Sequence, residues 1–154
     1  MKIKNNQKGF TFLEIMLVIA ILSITVGFFV LYSNNSQIIA DVNNQANIIV
    51  SHIRLVQSNA DSGYANTASA IHLDTNSYTG FIGPIYNPLD SSNYTMDLPG
   101  VLSIQNVSLN GGGSDIVFVS PRGETANYGS FNLTAADINK SITINISQNG
   151  AIDY

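Results

Sequence analysis

The sequence predicts an α+β protein: a long N-terminal helix, transmembrane in its first half and amphipathic in its second, packed on a C-terminal antiparallel β-sheet domain. Three observations predict it. Ile15 to Leu31 is an apolar run of seventeen residues broken only by Ser23, Thr25 and Gly27. After it, apolar residues recur at intervals of three and four as far as Ala60. Beyond residue 70 the period changes to two, in short runs separated by turn residues. The expected division is a leader at 1–9, a membrane half of the helix at 10–32, an amphipathic half at 33–60, and a β-rich domain at 61–154.

The first element rests on length. Phe10, Phe12 and Leu13 extend the apolar run to the span of a bilayer, about 20 residues. Lys2, Lys4 and Lys8 precede it, so the positive-inside bias sets the amino end in the cytoplasm and the rest of the chain on the far side. A secretory signal peptide also begins basic and turns apolar, but it fits less well here. The run is long, it carries Glu14 near its start, and no small-x-small cleavage pattern follows Leu31.

The second element rests on periodicity. Ile39, Val42, Ala46, Ile49, Ile53, Val56 and Ala60 form one stripe, with Asn, Gln, Ser and Asp on the other faces. Such a stripe faces a core; a coiled-coil seam is the alternative. No proline lies between Met1 and Gly83, so one helix can run from about Phe10 to Ala60, about 75 Å at 1.5 Å per residue.

For the third element, the polar stretch 57–69 leads into AIHLD, with YTGFIG as its hairpin partner across TNS. Pro84, Pro88 and Pro99 then mark a loop region. VLSIQNVSL changes phase between Ile104 and Val107, which predicts a bulge. DIVFVS, SFNLT and SITINIS follow, the last with Ile142, Ile144 and Ile146 on one face, before an Asn149-Gly150 turn and AIDY. The expectation is five to seven antiparallel strands, in one sheet or two, with the helix stripe across their apolar face.

Composition excludes several function classes. The net charge is −4, and without the leader only Arg54, Arg122 and Lys140 stand against ten acids, giving −7. Such a surface repels nucleic acid. The absence of cysteine removes disulfides, thiolate metal sites and a thiol nucleophile. His52 and His72 are far apart and read as surface or packed residues. Asp90, Asn93 and Asp97 are weak calcium candidates, but their spacing is not that of an EF-hand and an Asx-rich turn is the simpler reading. No hydrolase triad, phosphate loop or catalytic carboxylate pair can be assembled. Arg54 and Arg122 are candidates for pairing with acids on other chains, but exposed pairs contribute little and the sequence assigns them no partner.

Glu14 is the feature that demands a function. An acidic residue in a membrane helix costs about 3 kcal/mol at the centre and less near an end. If the chain is cut between Gly9 and Phe10, a new α-amino group lies four residues before Glu14 in the same apolar layer. An ordinary α-amino group titrates at about 7.7–8.0 and is largely cationic at neutral pH. Between neighbouring subunits this pair would set axial register, because an unpaired charge in low dielectric is heavily penalised. The alternative is a glutamate that snorkels to the interface without a partner.

A basic leader ending in Gly9, then Phe10, Thr11, Phe12, Leu13 and Glu14, then an apolar helix, closely resembles the start of type IV prepilins and type II secretion pseudopilins, with their G-F-T-x-x-E signature. The resemblance implies a ladle-like fold and a structural filament subunit, not an enzyme, with no cofactor. It also implies that a prepilin peptidase cuts after Gly9 and N-methylates Phe10, and that Glu14 pairs with the amine of an adjacent subunit. Its implied partners are that peptidase, other pilin or pseudopilin subunits, an inner-membrane assembly platform, and lipid before assembly. The implied location is the inner membrane, single-pass, and then the filament. Two features depart from many major pilins: no proline interrupts the late membrane segment near Leu31, and no cysteine closes a C-terminal loop.

The segments IVFVSPRGETANYGSFNL and ITINISQNGAIDY resemble, more weakly, the closing strands of the H-type minor pseudopilin and FimT-like minor pilin group. There Phe118, Pro121, Gly123 and Gly150 stand in for the group's strand-end and late-glycine positions. Some of that group bind DNA through a basic tail, whereas this chain ends Ala151, Ile152, Asp153, Tyr154, so DNA is not an expected partner. The alternatives are a major pilin, a DNA-uptake minor pilin, and a signal-anchored envelope protein that never polymerises.

Overall fold

The computed structural model describes residues 9–154, apart from the side chains of 30–34. The leader positions 1–8, with Lys2, Lys4 and Lys8, lie outside the described residues, as does the side chain of Leu31. The chain divides into two compact units, 1–37 and 38–154. Helix α1, Phe12–Asp61, contributes to both.

In the first unit, Thr11 opens the helix: its hydroxyl accepts the Glu14 N–H at 3.3 Å, satisfying one of the amides that have no partner in a first turn. Ser23 and Thr25 donate their hydroxyls to the carbonyls of Ile19 and Leu22, so the polar atoms of the apolar run are met within the helix. Residues 12–29 form a stretch long and apolar enough to cross a membrane, with no buried position.

In the second unit the helical stripe is real but starts one residue earlier than the spacing predicts. Val42, Ala46, Ile49, Ile53 and Ala60 are buried and Val56 packs against the core, but Ile39 is 42% exposed and Ile38 takes the inner place. Val50 and Gln45 are also buried, so the stripe is wider than one residue per turn. The last turn stops at Gly63, whose φ of 71° a side-chain-bearing residue adopts only at a cost.

Nine strands follow among the described residues: β1 Ser69–Leu73, β2 Ser77–Ile82, β3 Tyr94–Asp97, β4 Ser103–Leu109, β5 Asp115–Val119, β6 Glu124–Thr125, β7 Gly129–Ala135, β8 Lys140–Ile146 and β9 Ile152–Asp153. They form two antiparallel sheets, ordered β3-β2-β1-β5-β6 and β4-β7-β8-β9. The count exceeds the five to seven expected. Strand β3 falls in the stretch read as loop, where three of its four residues are exposed, and β6 is a two-residue edge. Neither carries the alternation by which a half-buried strand is recognised. The hairpin across 74–76 forms with Leu73 opposite Tyr78. The predicted bulge is present: the β4–β7 register shifts between Gln105 and Ser108, and Asn106 takes φ 52°.

The core lies between the helix stripe and both sheets. Ile71, Leu73, Tyr78, Ile116 and Phe118 come from the first sheet, and Ile104, Phe131, Leu133, Ile144 and Ile146 from the second. Each large side chain removed from water in this way contributes about 1.5–3 kcal/mol, which makes this shared core the main force assembling the unit.

Candidate functional site

The N-terminal end of α1 gathers the residues singled out by the sequence. Gly9 and Phe10 precede the helix, Thr11 caps it and Glu14 occupies its first turn. A carboxylate there is favoured by the partial positive charge of the helix N-terminus. Phe10 is 80% exposed, and it lines one shallow cleft of about 240 Å³ with Glu14, Ile15, Val18 and Ile19. Phe10 and Glu14 therefore share a face, and the rest of that face is aliphatic. Among the described residues no cation stands within ion-pair distance of Glu14.

In the sequence Thr11 stands only as the threonine of the G-F-T-x-x-E signature; its capping role is new with the structure, although the Thr-x-x-Glu spacing of a capping box marks it. Its hydroxyl joins the backbone of Glu14 to the point where the helix begins.

The other candidates are dispersed over the second unit. His52 Nδ1 lies 2.6 Å from the Tyr78 hydroxyl, and its ring meets Tyr94 edge-on. Burial, with a smaller contribution from Tyr94, pushes the Tyr78 hydroxyl up to about 12. His72 stacks on Tyr86 with centroids 4.0 Å apart, and its Nδ1 lies 2.5 Å from Asp115. Asp90 accepts the Ser92 N–H and hydroxyl, which hold its carboxyl below the ordinary range. Asn93 donates to the Asn87 carbonyl, and Asp97 pairs with Ser77 at the end of β3. Among the described residues no three His, Asp or Glu side chains gather to hold a metal.

Gly123 and Gly150, distant in sequence, meet at one junction. Gln57 donates to the Gly123 carbonyl at 3.1 Å. A Cβ on Gly150 would lie 2.1 Å from Gln57 Nε2 and 2.4 Å from that same carbonyl, and its φ is +81°. Phe118 is fully buried and Pro121 is exposed. Gln57 carries no sequence signal; only the fold reveals its role.

Residues 4–30 match the prokaryotic N-terminal methylation motif. No curated protein and no solved structure gives a match. An apolar N-terminal helix bearing that motif, ahead of antiparallel sheets, fits an α+β pilin-like fold with a membrane anchor. The motif is type IV prepilin-like, and its match at residues 4–30 supports a relation to the type IV pilins and pseudopilins.

Proposed function

We propose that the chain is a structural subunit of a type IV pilus or a type II secretion pseudopilus, made as a prepilin and assembled through its N-terminal helix. In this reading the amino end starts in the cytoplasm and the 61–154 domain lies beyond the inner membrane. Prepilin peptidase cuts between Gly9 and Phe10 and N-methylates Phe10. The Glu14 carboxylate then meets the new amine of a neighbouring subunit. The chain is the substrate of an enzyme and has no reaction of its own; it docks on an inner-membrane assembly platform and on other pilin or pseudopilin subunits.

The observation that carries the proposal is the pairing of Phe10 and Glu14 on one exposed aliphatic face at the start of a bilayer-length helix. A lone carboxylate in hydrocarbon is costly, and a cationic amine delivered to the same layer offsets that cost. Gly9 suits the scissile position because nothing on its Cα obstructs an approaching enzyme. Among subtypes we favour a minor subunit of the H-type or FimT-like group, on the junction made by Gly123 and Gly150. A DNA-uptake role is opposed by the charge of residues 10–154, where Arg54, Arg122 and Lys140 stand against ten acids.

Intact-mass analysis of the chain expressed with and without a prepilin peptidase tests the proposal. The parent loses residues 1–9 and gains a methyl group on Phe10 only with the peptidase, and Gly9→Val remains full length in both. An uncut parent in the presence of an active peptidase refutes the reading and leaves the signal-anchored alternative.

A further inference from the structure

The second unit contains a cavity that the filament reading does not use. It has a volume of about 340 Å³, within the range of small-molecule sites, and lies between the helix at 52–59 and strands β1, β2 and β3. Its wall is aliphatic at Val56 and Ile82, and aromatic at His52 and Tyr94. No Asp, Glu, Lys or Arg lines it.

Two features of this cavity are unexplained by folding. Ser69 is 2% exposed, lines the cavity, and its hydroxyl has no hydrogen-bond partner. A buried hydroxyl in that state weakens the fold, and each such group calls for an explanation. Gly80 sits inside β2, where glycine is unfavourable, yet its backbone does not need one. A Cβ there would meet only Val56 Cγ2 at 3.7 Å and the Tyr94 carbonyl at 3.9 Å, both ordinary contacts. Glycine within a strand often marks a place where a ligand approaches closely. Here its missing side chain opens the floor of the cavity beside the unpaired hydroxyl.

We infer that this cavity binds an uncharged small molecule with one aromatic ring and one hydrogen-bonding group, of the phenol class, its ring over Gly80 and between Val56 and Tyr94, its polar atom on Ser69 Oγ. A lining without Asp, Glu, Lys or Arg selects a neutral ligand, the aromatic walls a ring, and Ser69, the one buried polar side chain beside the more exposed Asn59 and Ser92, one polar group.

The full chain in detergent micelles, with methyl-labelled valine and isoleucine, is titrated with p-cresol and with toluene by NMR. The Val56 and Ile82 methyl signals are expected to shift saturably, with p-cresol binding about tenfold tighter than toluene, the value of one net hydrogen bond. Ser69→Ala should raise the thermal midpoint of the empty protein and bring the two probes within about twofold of each other. Gly80→Leu should abolish both titrations. The inference is overturned if the parent shows no saturable shift, if Ser69→Ala keeps the preference for p-cresol, or if a folded Gly80→Leu binds like the parent. Should Gly80→Leu fail to fold, the probe ratio in Ser69→Ala decides.

Discussion

Residues 12–29 and residues 42–60 lie in one helix, yet the first segment buries none of its apolar side chains and the second buries a continuous stripe. Leu17, Val18 and Ile19, successive residues that point to different sides of the first segment, are 56%, 48% and 57% exposed, whereas Val42, Ala46, Ile49 and Ile53 are at 0%. The difference follows from pattern. A helix that is apolar all round requires an apolar surrounding on all sides, whereas one apolar stripe requires a single packed face. The second segment finds its face within the chain, on two sheets. In the proposed reading the first finds its surroundings in lipid or in other subunits, and Glu14 is the one charged side chain of residues 12–29.

The largest effect that would break this contrast is on assembly. Glu14→Ala is expected to reduce sheared filament yield at least about tenfold, since an unpaired amine remains in low dielectric, while the thermal midpoint of the second unit stays unchanged. Equal filament yield from parent and variant would remove the functional half of the comparison.

Core truncation separates the segments next. Ile53→Ala should lower the unfolding free energy by about 2–5 kcal/mol, as removal of a fully buried Ile does. Val18→Ala, in the exposed segment, should stay within about 0.5 kcal/mol in the same denaturant titration. Similar values for the two would mean that the membrane-length segment is also part of the folding core.

Gly150→Ala probes the junction near the end of the helix. Its Cβ would overlap Gln57 Nε2 and the Gly123 carbonyl at a positive φ, so a loss of about 1–3 kcal/mol is expected. Adding Gln57→Ala should recover only part of it, because the carbonyl contact at 2.4 Å remains. Full recovery would assign the whole penalty to the side chain.

The smallest effect is on pH dependence. Burial raises the Tyr78 hydroxyl from 10.0 to about 12, so the folded state holds that proton more tightly than the unfolded chain. Its contribution is complete below pH 10.0 and is lost as pH rises toward about 12. Comparing urea midpoints of the parent and Tyr78→Phe across that window should show a gap that narrows with rising pH. A gap independent of pH would mean that the hydroxyl does not titrate differently in the two states.

Much of this was legible along the chain because it depends on local spacing. The apolar run, the three-four stripe, the bulge after Ile104 and the alternating Ile144 and Ile146 each follow from a period that a single segment carries. Ile38 displaced Ile39 from the core because the helix phase is fixed by contact with the sheets, and neighbouring apolar residues look equivalent in sequence. Strand β3 has no signature in the sequence for a related reason: it is held by backbone pairing with β2, and its exposed side chains show no inward face.

What the sequence determined by itself is the N-terminal motif and the helix that carries it, since Gly9, Phe10, Thr11 and Glu14 are neighbours in the chain and the apolar run that follows them is local. Only the tertiary structure decided the division into two sheets, the meeting of Gln57 with Gly123 and Gly150, and the cavity beside Ser69 and Gly80. Those arise where residues far apart in the chain are pressed together by a common core, and no local period encodes a contact of that kind.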